Sequence, residues 1–220
     1  MARSAGWRRG LRDSAPLVLP TVAVGVTFGL LAAPVIGATA AVVMSAVVWS
    51  GTAQFAAVGV LGAGGGAVLA GASGLLANTR FVPMGFAIAA SLSGPAPRRA
   101  AVGATVVDAS FAIAHRGGGR FDAAALVGAM PLQYVAWLLG TAAGALGADV
   151  LGDPQRWGLD VLFPAFYLSL LIGELREDRR ARLVAGCAAV IALALVPFTP
   201  AGVPVVAAAA AALIGLRERR

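Results

Sequence analysis

The chain has 220 residues, 59% hydrophobic and 12% charged, with a formal net charge of +7. Soluble domains carry about 25% charged residues, so this much apolar surface calls for lipid rather than a single water-soluble core. The positive charge is all arginine, set in short clusters between apolar runs, which fits the retained charge of cytoplasmic loops and not a nucleic-acid-binding face.

Four arginines (Arg3, Arg8, Arg9, Arg12) precede the first apolar run, 15 to 33. That run holds Pro16 and Pro20 and exceeds the ~7–15 residues of a signal core, so it reads as a first transmembrane helix. The second and third spans, 36 to 62 and 66 to 92, are longer than the ~20 residues a crossing needs. Each has a polar interruption, at Ser50, Gly51, Thr52 and Gln54 in the second and at Asn78, Thr79 and Arg80 in the third. Pro83 follows and leaves the Thr79 carbonyl without its helical donor. Breaks of this kind occur in membranes where backbone lines a cavity or is buried in protein, so both spans are candidates for helices broken at membrane depth. The remaining spans are 99 to 115, 121 to 147, 157 to 174, 183 to 198 and 202 to 216. The predicted fold is an all-α integral membrane bundle of seven to eight transmembrane helices. Residues 15–216 form one membrane domain between a basic cytoplasmic segment, 1–14, and a basic tail, 217–220. Glycines spaced four apart at Gly25/Gly29, Gly62/Gly66 and Gly140/Gly144 suit close helix packing.

Loop charge places the N-terminus and the loops at 116–120, 175–182 and 217–220 inside, and the loop at 148–156, with Asp149, Asp153 and Arg156, outside. In this scheme Arg98 and Arg99 fall on the outer side, so either that pair is tolerated or an early span does not cross.

A charge at the centre of a membrane helix costs about 2.5–3.5 kcal/mol on insertion scales, so a buried one calls for a role. Arg80 and Asp108 are the two deep charges. Arg80 offers a planar fork for a substrate carboxylate, and Asp108 suits an ammonium group or a coupling proton. The alternative is a structural pair that neutralises itself. As one helix, 99 to 115 would put Thr105, Asp108, Ala112 and His115 on a single polar face. Ser50, Gly51, Gln54 and Asn78 complete the candidate substrate site, with interhelical hydrogen bonding as the other reading of Gln54. Gln133, beside Pro131, is a weaker candidate of the same kind. His115 reads as interfacial and Cys187, the single cysteine, as a small apolar residue. No hydrolase, metalloprotease or phosphate-loop motif occurs, and one His with one Cys builds no dedicated His/Cys metal site, so neither enzyme activity nor a cofactor is expected.

Several stretches together resemble the AzlC family of branched-chain amino acid permeases. They are Pro20 with Phe28 and Gly29, the runs MSAVVWSGTAQF at 44–55 and LLANTRF at 75–81, Asp108 followed by Ser-Phe-Ala, and DPQRWGLDVLFPAF at 153–166. The resemblance implies the large subunit of a bacterial inner-membrane exporter of leucine, isoleucine, valine and sometimes methionine. It also implies drive by the proton-motive force and a small multi-span partner of the AzlD type. The family's Ser-Gly-x-x-Gln and Asn-x-Arg motifs fall on Ser50, Gly51, Gln54, Asn78 and Arg80. Family members often carry a second acid after the buried Asp, where this chain has Ala109.

Overall fold

Backbone polar groups in lipid must be satisfied within the chain, and a sequence this rich in Ala, Leu and Val meets that demand with helices. The computed structural model describes residues 2–117, 120–151, 168, 171, 172, 175, 179–199 and 203–211. The described residues are helical throughout apart from turns and one isolated bridge between His115 and Phe121. Most of the expected sixth span (157–174), the loop beyond residue 151, the 153–166 motif and the tail 217–220 lie outside the described residues.

Helix α1 (Ala2–Ser14), a 3₁₀ turn (Ala15–Leu17) and α2 (Val18–Ile36) form one run. Helices α3 (Ala38–Val47), α4 (Gly51–Gly62), α5 (Ala67–Asn78), α6 (Phe81–Ala89), α7 (Ala96–Gly103), α8 (Asp108–Ala114) and α9 (Ala123–Leu151) follow. After the gap come α10 (Arg179–Leu195) and α11 (Val203–Ala208), packed on each other. The runs Ser4–Ile36 and Ala123–Ala148 are the two described helices long and apolar enough to cross a bilayer. The count of seven to eight spans is not reached among the described residues, because several expected spans are built from short helices.

The two long helices pack side by side and parallel along their length on a seam of glycines. A Cβ added at Gly10 would lie 2.1 Å from the Ala125 carbonyl oxygen, and one at Gly128 2.1 Å from that of Trp7. Further along, a Cβ at Gly29 would lie 2.2 Å from Thr141 O, and one at Gly144 2.1 Å from Val26 O. Lipid gives helices no hydrophobic drive to associate, so close backbone approach and dispersion must hold them. The Gly25/Gly29 and Gly140/Gly144 pairs face each other in this seam, whereas Gly66 has open space where a side chain would be. Within the expected basic segment 1–14, Ala2–Ser14 forms α1, which packs against α9.

Helix α9 serves as a depth scale, with Ala123 at the end that carries Arg9 and Leu151 at the far end. Helix α3 leaves the far end at Gly37 and descends until Tyr134 Oη donates to Ala46 O at 2.9 Å. The chain then reverses through Val48–Ser50. Gly51 meets the Trp137 indole, the Phe55 ring sits 5.3 Å from that of Phe28, and Gly62 ends beside Val35 near the far end. The second expected span is therefore a re-entrant hairpin that enters and leaves at the same end. Its arms have 10 and 12 residues, about 15 and 18 Å, each roughly half of a ~30 Å hydrocarbon core.

The third expected span does run end to end, in two pieces. Helix α5 packs on α4, with Gly74 against Ala53, and α6 continues until Ser91 Oγ accepts from the Phe121 N–H at 3.1 Å. The fourth expected span is not one helix. Helices α7 and α8 form a second hairpin, entering from the arginine end, with an extended turn at Ala104–Val107. It returns to the same end, where the Asp122 N–H donates to Ala114 O at 2.9 Å. The single face expected for Thr105, Asp108, Ala112 and His115 does not exist, because the helix breaks between Thr105 and Asp108 and His115 is extended.

Two hairpins therefore enter from opposite ends, each after a crossing segment. The order crossing-then-hairpin in α1–α4 is repeated upside down in α5–α8, the pattern of inverted repeats in many transporters. This geometry removes the charge conflict of the linear scheme, since Arg98 and Arg99 share a cavity with Arg9 and Arg116. With α3–α4 re-entrant, all four lie at one end, as retention of positive charge on one side requires.

Candidate functional site

The hairpin tips meet at mid-depth. At the first tip, Ser50 is extended (φ −160°, ψ 106°) and caps α4, its side chain accepting from the Ala53 N–H. Only a glycine fits at position 51, because a Cβ there would lie 2.8 Å from Trp137 Cη2. Gln54 is fully buried and its side chain is engaged by protein. Its Oε1 accepts from Ser45 Oγ at 3.0 Å and Trp137 Nε1 at 3.3 Å, and its Nε2 donates to Val48 O. Gln54 therefore supplies a donor to a carbonyl freed by the break and ties the tip to α9. These hydrogen bonds accord with the interhelical reading of this residue.

At the second tip, Ser110 plays the matching part. Its hydroxyl accepts from the Val107 N–H at 2.9 Å and donates to Thr105 O at 2.7 Å, satisfying the extended backbone. Asp108 opens α8 in its first turn, where the helix dipole favours a carboxylate.

Arg80 joins the tips. It lies at the turn between α5 and α6, and its Nη2 sits 2.9 Å from Asp108 Oδ2 and 3.0 Å from Thr52 Oγ1. The guanidinium also lies 4.9 Å from the Phe81 ring centroid. The structure thus brings both deep charges together with the first tip. Arg80 does not line the adjoining cavity; Asp108 does.

That cavity has a volume of about 230 Å³, small against the ~300–1,000 Å³ of drug-sized pockets and suited to a small metabolite. Its walls are Val48, Trp49, Ser50 and Gly51 from one tip and Val107, Asp108 and Ala109 from the other. Thr21, Gln133 and Trp137 close it from α2 and α9. Asp108 is 56% exposed, turned to open space rather than packed, whereas Arg80 is 35% exposed. Gln54 and Asn78 are not in the wall. Gln133 is held by protein, taking a hydrogen bond from Thr21 and donating to Ser14 O.

Buried polar atoms normally find partners. Trp49 Nε1, Asn78 Oδ1 and Arg80 Nε are buried without one among the described residues. Trp49 is the residue the sequence reading missed. Its ring packs at a tilt against Tyr134, centroids 4.8 Å apart, and it lines the cavity with an unused donor. Its place directly before Ser-Gly at a break was the available signal. Among the described residues no group of His, Cys, Asp or Glu is arranged to hold a metal.

Comparison with curated proteins and with solved structures gives no match. The family model described as AzlC protein matches residues 16–151, a stretch that contains both hairpins, Arg80 and Asp108. The chain therefore belongs to the AzlC family, whose members act in transport across membranes.

Proposed function

We propose that this protein is the large subunit of a secondary transporter that exports branched-chain amino acids through the bacterial inner membrane. The observation that carries the reading is Asp108, held by Arg80 and turned into a small cavity between two re-entrant tips. In this reading Asp108 receives the substrate ammonium group. The carboxylate lies at the start of α4, where first-turn N–H groups such as that of Gly51 and the positive helix end favour an anion. Val48, Val107, Trp49 and Trp137 take the aliphatic side chain. Arg80, which the sequence suggested as a carboxylate ligand, becomes the residue that orients Asp108 and couples the hairpins. The inverted pair of hairpins supports alternating access, with one tip yielding on each side. The arginine end is cytoplasmic, methionine is a further substrate, the proton-motive force drives export, and a small AzlD-type membrane subunit completes the transporter.

Equilibrium binding of labelled leucine to the purified complex tests this assignment. Isoleucine and valine are expected to compete at concentrations similar to leucine. 4-Methylpentanoate, which keeps the carboxylate and side chain but lacks the ammonium group, is expected to compete about 30-fold more weakly or worse, as for a lost charge-assisted contact of about 2 kcal/mol. Equal competition by 4-methylpentanoate would remove Asp108 as the ammonium site.

A further inference from the structure

A second cavity, about 920 Å³, lies at the arginine end between α1, α7 and α9. Four guanidinium groups line it, those of Arg9, Arg98, Arg99 and Arg116, against a single carboxylate, Asp122. That carboxylate is already committed. Its Oδ2 pairs with Arg116, and its Oδ1 accepts from the Ala124 and Ala125 N–H groups at the start of α9. Arg9 pairs with Asp13 at 3.1 Å and donates to Ile113 O at 2.8 Å, yet its Nη1 is buried without a partner. Arg98 and Arg99 have no carboxylate within 4.0 Å among the described residues and are exposed on this rim. Like charges gathered in one concavity repel, and an anion relieves that repulsion.

The rest of the wall is not that of a plain anion site. Trp7, Leu92, Val102 and Val127 give it an apolar side, and Trp7 is partly exposed at the end of a membrane-length helix run, a position typical of the lipid interface. Cationic rim and apolar wall together match an amphiphile with an anionic head. We propose that this cavity binds the headgroup of an anionic phospholipid, with Arg98 and Arg99 on the phosphate and the acyl chains leaving along the apolar wall. Basic pockets between membrane helices are suited to this chemistry. The site is separate from the transport cavity, with which it shares no lining residue.

The test is a thermal-shift titration of the detergent-purified full chain with phosphatidylglycerol, phosphatidylcholine or inorganic phosphate. Phosphatidylglycerol is expected to raise the melting temperature saturably, while the zwitterionic lipid and free phosphate leave it near the starting value. In Arg98→Gln/Arg99→Gln the phosphatidylglycerol midpoint is expected to move roughly 30-fold higher, as for two lost contacts near a charged headgroup. Arg182→Gln, an exposed arginine on α10, is expected to keep the wild-type midpoint. Equal shifts with phosphatidylcholine would overturn the proposal, and an equal shift with phosphate would make this a free-anion site. The wild-type comparison decides both points without any variant. An unchanged midpoint in the double variant would also overturn the assignment.

Discussion

Asp108→Asn is expected to impair leucine transport strongly while the protein still inserts and folds. The substitution keeps size and hydrogen bonding but removes the charge that the cavity offers to an ammonium group. Truncating one partner of a desolvated charge pair costs about 2–5 kcal/mol, and the half-exposed position of Asp108 argues for the lower end. The corresponding loss is about 30–150-fold in transport at limiting leucine. Transport assays with membrane yields measured in parallel check this. Arg80→Ala is expected to be similarly impaired, because it frees Asp108 and unties the two tips. Reversing the pair separates a site from structural glue. If Arg80 and Asp108 only neutralise each other, Arg80→Asp with Asp108→Arg restores transport. If Asp108 faces substrate, the reversed pair inserts normally and remains inactive.

Gly144→Ala should rank among the most destabilising single changes in the described structure, although it adds one methyl group. That carbon would lie 2.1 Å from Val26 O and 3.0 Å from Leu30 N, both backbone atoms of α2 that no rotamer can move aside. The seam must open, and overpacking of this kind costs about 1–3 kcal/mol, here toward the upper limit. Gly147→Ala is the internal control. It lies on the same helix with nothing within 4 Å of the added carbon, so only the helix-propensity gain of up to about 1 kcal/mol applies. Melting temperatures of the two variants in detergent should therefore move in opposite directions. A shared direction would contradict the close approach of α2 and α9.

Local polarity made two of the three breaks legible in the sequence. Ser50–Gln54 and Asn78–Arg80 place small and polar residues where an uninterrupted span would have apolar ones. The third break, at Ala104–Val107, is composed like a helix interior, and the Ser110 side chain, one turn later, bonds the Val107 N–H and the Thr105 carbonyl. Re-entrance was not legible locally, since it depends on which end Gly62 reaches and not on the residues of the turn. The signal that did exist was electrostatic, in the misplaced Arg98 and Arg99. The partners of Gln54 and Arg80 needed tertiary contacts. Residue type marks a buried polar group, and only its partners distinguish a lock from a ligand.

Efflux of preloaded labelled leucine from cells lacking their own exporter tests the proposed export activity. The cells express this chain with and without the proposed small AzlD-type membrane subunit. The expected result is efflux that requires both subunits and collapses when an uncoupler dissipates the proton-motive force. No efflux of leucine, isoleucine, valine or methionine from cells with the assembled complex would contradict it.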